Sequence, residues 1–126
     1  MPHDYIICID FDGVLHSYVS GWQGADQVAD PPVPGAIEWL ESLVLAEEIV
    51  PVIYSSRSSQ TGGIKAMQDW LLEHGLHPKY LYSIGFPVAK PAAFLTIDDR
   101  CIRFEGLFPR LDEMINFKPW NEDKKL

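Results

Sequence analysis

Short uncharged runs alternate with stretches of helical period along most of this chain. Tyr5-Ile6-Ile7-Cys8-Ile9 has the β-branched and aromatic content of a buried strand. Ile49 to Tyr54 reads as a second strand, with Pro51 placed near its start because proline cannot donate to a ladder. Tyr80-Leu81-Tyr82-Ser83-Ile84 suggests a third strand and Phe94-Leu95-Thr96-Ile97 a fourth. Between them, Pro34-Gly35-Ala36 opens an amphipathic helix with Ile37, Leu40 and Val44 on one side and Glu38, Glu41 and Glu48 largely elsewhere. A second helix runs through Ile64, Met67, Trp70 and Leu71, with Thr61 as its expected cap and Gly75 as its left-handed stop. Pro109 to Phe117 predicts a last helix, and residues 118–126 form a charged tail. Residues 13–33 have no period and several glycines and prolines, which predicts one long loop of functional character. Trp39 and Trp70 fall on apolar helix faces and are expected in the core. Strands alternating with helices predict an α/β layered domain with a mostly parallel sheet and right-handed crossovers.

The chain of 126 residues fits one domain, and 47% apolar with 22% charged residues is a globular balance. No stretch approaches the ~20 apolar residues of a membrane span, and the N-terminus lacks the pattern of a secretory signal. Cys8 and Cys101 do not make a disulfide framework, Cys8 reads as a small buried residue, and Cys101 has no evident chemistry. A cytoplasmic setting is expected. The net charge of −8 argues against sequence-independent binding of long nucleic acid, which relies on cations neutralising phosphates. It leaves room for a small phosphorylated substrate, since Arg57, Lys90, Arg100 and Arg103 all fall beside the candidate site segments.

Three expected strands end in polar groups: Asp10 and Asp12 after the first, Ser55 after the second, Asp98 and Asp99 after the last. Asp10 and Asp12 are two apart, so their side chains share a face while Phe11 turns away and Gly13 releases the chain into a turn. In a parallel sheet the strand ends open onto one edge, where residues distant in sequence assemble a site. Carboxylates, a serine and Lys90 suit phosphoryl transfer to an aspartate, which splits one hard displacement into two easier ones. A carboxylate at ~4 Å from a phosphate oxygen is repelled by about 4 kcal/mol at an effective dielectric near 20. Mg²⁺, which favours carboxylate and phosphate oxygens, together with Lys90 offsets that repulsion.

Asp10-Phe11-Asp12-Gly13-Val14-Leu15, Ser55 after an apolar strand, Lys90-Pro91 and Ile97-Asp98-Asp99 resemble the four ordered motifs of the haloacid dehalogenase-like phosphatases. The resemblance spans residues 5 to about 104. It implies a Rossmann-like three-layer sandwich and a Mg²⁺-dependent hydrolase of phosphoric esters working through an aspartyl-phosphate. By position it implies Asp10 as nucleophile and metal ligand, and Asp12 as general acid and base that also lends the metal its backbone carbonyl. Ser55, with Ser56 as the alternative, and Lys90 would hold the phosphoryl group, with Arg57 a further candidate for substrate contact. Asp98 would anchor Mg²⁺, and Asp99 would be a second anchor through water or a brace.

The segments between the motifs are too short for a cap domain, so residues 13–33 would be the flap, with Tyr18 or Trp22 over the substrate. An open site of this kind suits a bulky phosphorylated substrate, or a lid lent by a neighbouring copy in a homo-oligomer. His16 is expected as a solvated loop histidine, with substrate contact the alternative. His3, His74 and His77 lack metal-ligand spacing and are expected at the surface.

Three other readings compete. A calcium loop would need ligands where Val14 and Gly21 stand. A phospho-acceptor receiver domain would place its acidic pair early rather than at 98–99. A binding or scaffold protein that keeps the fold without catalysis would carry the same elements.

Overall fold

The structure is a computed structural model that describes residues 4–122. His3 and the last four residues of the expected tail lie outside the described residues. Strand β1 (Tyr5–Ile9) is followed by helix α1 (Ala36–Leu45), strand β2 (Ile49–Ile53), helix α2 (Gly63–Glu73), the short helix α3 (Pro78–Leu81), strand β3 (Leu95–Ile97) and the short helix α4 (Leu111–Ile115). The strands form one parallel sheet in the order β2-β1-β3, with Ile9 opposite both Ile53 and Ile97. All three therefore end at the same rim. No helix among the described residues is long and apolar enough to cross a membrane.

Ile7, Ile9 and Ile53 lie on one face of the sheet and join Ile37 and Leu40 of α1 and Met67, Trp70 and Leu71 of α2 in a single core. Both helices therefore share that face, as right-handed crossovers stepping outward from β1 to β2 and on to Gly85 require. The other face carries Cys8 and Val52, both buried. It meets the chain near Lys90, which returns from the far edge toward β3 without forming a helix. The α/β class and the parallel sheet agree with the sequence. Among the described residues, a helical third layer on the second face is not seen.

Pro51 sits in the middle of β2, not near its start. The hydrogen bonds show how it is tolerated: the Tyr54 N–H donates inward to Ile9 O, whereas the Ile53 N–H donates outward to Gly85 O. Pro51 shares the parity of Ile53, so its missing donor falls on the outer side, where only the Gly85 bridge forms.

The expected strand at 80–84 is replaced by α3 and a turn. Pro78 occupies the first turn, and the His77 ring accepts from the Lys79 N–H, so a proline and a cap nucleate one helical turn. Tyr82 is then left 91% exposed. Helix α2 begins after Gly62, in the left-handed region at φ 78°, and has no side-chain cap, so Thr61 does not fill that role. Gly75 does adopt a positive φ just beyond the end of α2. Trp70 is buried as expected, but Trp39 is 37% exposed, lining a groove with Val14, Leu15 and Ile97. His74 and His77 are exposed.

Candidate functional site

The rim of the sheet gathers residues from three separate stretches. Asp10 leaves β1, its N–H donating to Ile97 O at 2.9 Å, which ties the first carboxylate to the end of β3. The chain then curls tightly: the N–H groups of Val14, Leu15 and His16 all point at Phe11 O, and the Gly13 N–H donates to His16 O. Gly13 has φ 86°, and a Cβ there would lie 2.1 Å from an Asp99 carboxylate oxygen. Glycine is needed at this point both for the turn and for the close approach of Asp99.

Asp10, Asp98 and Asp99 each present an oxygen within 4.8 Å of the others. Three carboxylates this close repel one another, which adds to the effect of burial on Asp10. Burial first, then the hydrogen bond with Asp99 and the charge of Asp98, push the Asp10 carboxyl from 3.8 up to about 8. Burial likewise raises Asp99. The donor set is all oxygen, which suits a hard divalent cation. Ligands at 2.0–2.1 Å from Mg²⁺ stand about 3–4 Å from one another, so the cluster has the size of such a site.

Ser55 follows β2 and is buried. Its loop is braced by its own serines: the Ser55 N–H donates to Ser58 Oγ at 3.0 Å, and the Arg57 N–H donates to Ser55 Oγ at 3.2 Å. With its oxygen accepting from the backbone, the Ser55 hydroxyl proton is free to point elsewhere. Asp10, Ser55, Ser56, Lys90 and Asp98 line a cavity of about 180 Å³, together with Cys8, Tyr54 and Thr96. A second cavity of about 170 Å³ also includes Asp10, Ser55 and Ser56, and adds Asp12, Tyr18, Asp99 and Arg100. The two openings meet along Asp10 and the serines.

Of the residues singled out from sequence, Asp10, Asp12, Ser55, Ser56, Lys90, Asp98 and Asp99 thus border these adjoining openings. Arg57 does not line either one. Its side chain is fully buried and bonded to Asp12 and to the carbonyls of Gly24, Ala25 and Gln27. His16 is also buried, at 1% exposure, rather than solvated, and is hydrogen-bonded to Asp12. Tyr18 borders the second cavity with a backbone φ of 61°, rare for a residue with a side chain. Trp22 is 47% exposed and packs on the Arg57 guanidinium instead.

Arg100, one of the cations noted beside the site segments, borders the second cavity directly after the acidic pair. Sequence reasoning missed one contributor. Trp120 donates its indole N–H to Gly13 O at 2.9 Å, so the end of the described chain folds back onto the turn after β1. No local pattern announces that contact across 107 positions. No family model, curated protein or solved structure matches this chain.

Proposed function

We propose that the protein is a Mg²⁺-dependent phosphomonoester hydrolase of the haloacid dehalogenase-like type, working through phosphorylated Asp10. The observation that carries this reading is the meeting of Asp10, Asp98 and Asp99 with Lys90 and Ser55 at one rim. A lone acidic cluster is common. An acidic cluster whose first member also faces a lysine and a strand-end serine is what transfer of a phosphoryl group to a carboxylate needs.

In the first half-reaction the Asp10 carboxylate attacks phosphorus while the bond to the ester oxygen breaks. Asp12 gives that oxygen its proton, so an alcohol leaves. In the second, the Asp12 carboxylate takes a proton from water, whose oxygen attacks phosphorus, and the bond to Asp10 breaks to return the free carboxylate. Lys90 and the Ser55 hydroxyl donate to the phosphoryl oxygens throughout. Asp10, Asp98 and Asp99, with the Asp12 carbonyl, would hold Mg²⁺, which would supply the positive charge that lets a dianion approach a carboxylate.

The loop over residues 13–33, carrying Tyr18, would face the leaving group, with no cap domain above it. The substrate would be a phosphorylated metabolite, a sugar phosphate or the phosphate end of a larger molecule. A second copy could supply a lid. The test is hydrolysis of 4-nitrophenyl phosphate with Mg²⁺: the reading expects turnover that EDTA removes and Asp10→Asn abolishes. Turnover that survives either change overturns it.

A further inference from the structure

The carboxylate of Asp12 is held by two residues that the proposed chemistry does not otherwise use. Arg57 Nε donates to Asp12 Oδ2 at 2.9 Å and to Oδ1 at 3.2 Å. His16 Nδ1 lies 2.8 Å from Asp12 Oδ1. The other ring nitrogen of His16 accepts from the Asp30 N–H at 3.1 Å, so the ring proton sits on Nδ1 and is donated to Asp12. The histidine ring itself is fixed by packing, with Phe11 5.6 Å away on one side and Trp70 at 5.5 Å.

Arg57 is anchored just as firmly. Its Nη1 donates to the carbonyls of Gly24, Ala25 and Gln27 at 2.9–3.0 Å, and its guanidinium carbon lies 5.0 Å from the Trp22 ring centroid. A fully buried arginine holding a carboxylate and three carbonyls is a costly arrangement. What it adds is a fixed direction for one carboxylate. Oδ1 accepts from both neighbours, whereas among the described residues Oδ2 accepts from Arg57 alone and keeps a lone-pair position free. Asp12 borders the cavity that also contains Asp10 and Tyr18.

We propose that His16 and Arg57 are positioning residues for leaving-group protonation, aiming Asp12 Oδ2 at the ester oxygen. This rests on the phosphatase reading above and deepens it. The proton that Asp12 gives up is carried on Oδ2, and it passes to the leaving oxygen as the phosphorus bond to that oxygen breaks and the bond to Asp10 forms. A misdirected Asp12 would hurt most where the leaving group most needs a proton.

The experiment compares kcat/KM for phenyl phosphate with that for 4-nitrophenyl phosphate, two esters of similar shape whose leaving groups differ in basicity. In His16→Phe, which keeps a ring but loses the donor, the preference for the nitrophenyl ester should rise by about tenfold or more over wild type. His16→Asn, whose amide restores a donor near the Nδ1 position, should recover much of that ratio. Arg57→Met should move it in the same direction as His16→Phe, with folding checked by circular dichroism. Should Arg57→Met fail to fold, the two His16 variants decide. Equal losses on both esters would show a purely structural role and overturn the proposal while leaving the phosphatase reading intact. A wild type that hydrolyses neither ester overturns both.

Discussion

Replacing Asp10 by asparagine should stabilise the metal-free protein, and do so only above acidic pH. The carboxyl of Asp10 moves from 3.8 to about 8 on folding because it is buried, bonded to Asp99 and close to the charge of Asp98. An acid raised in this way binds its proton more tightly folded than unfolded. The stability it contributes is therefore intact below about pH 4 and is lost as pH climbs through 8. At ~1.4 kcal/mol per pH unit, the loss has an upper figure of roughly 6 kcal/mol and falls short of it because solvent reaches part of the carboxylate. That is a large share of the 5–15 kcal/mol by which domains are typically stable.

Asparagine has nearly the same shape and never ionises. Urea unfolding in EDTA should find wild type and Asp10→Asn nearly equal at pH 4. By pH 9 the variant should be more stable by several kcal/mol, with m-values unchanged. Adding Mg²⁺ should narrow the gap by stabilising wild type, because a ligand that binds only the folded state adds free energy in proportion to the logarithm of its concentration. Parallel pH profiles for the two proteins, or a variant that is weaker throughout, would refute the claim that the site carries uncompensated negative charge.

Gly13→Ala should destabilise by about 1–3 kcal/mol and weaken the Mg²⁺-induced shift in melting temperature. The new Cβ would stand 2.1 Å from an Asp99 oxygen at a backbone φ of 86°. Gly63→Ala should also cost about 1–3 kcal/mol in urea unfolding, because its Cβ would meet the Arg57 carbonyl oxygen at 1.9 Å and one of two backbone segments must move. Lys90→Met should lower kcat/KM for 4-nitrophenyl phosphate about 10–100-fold, the worth of one hydrogen bond between charged groups. Circular dichroism should be unchanged, since Lys90 is exposed.

The gathering of the candidate residues at one rim was more legible in the sequence than the architecture around it. Asp10, Ser55 and Asp98 each follow a short apolar run, and parallel strands bring such ends together whatever the packing of the helices behind them. Local patterns fared worse where a cap or an edge decided the outcome. Tyr80 to Ile84 has strand-like composition, yet Pro78 and His77 start a helical turn just before it. Pro51 argued for the beginning of a strand, but an edge position accommodates it in the middle.

His16 and Arg57 stand in polar loops, and their burial arises from contacts across 14 and 45 positions, to Asp30 and Asp12. Such contacts leave no periodic trace. Trp39 shows the converse case, an apolar residue at a helical position that its neighbours cover only in part.

The most direct test of the account is to trap the intermediate. Wild type turning over 4-nitrophenyl phosphate with Mg²⁺ is quenched in acid and treated with borohydride, which reduces an acyl phosphate and turns the phosphorylated aspartate into homoserine. Peptide mass spectrometry should find the conversion at Asp10 alone. Conversion at Asp12 or Asp98, or steady turnover with no converted residue, would contradict it.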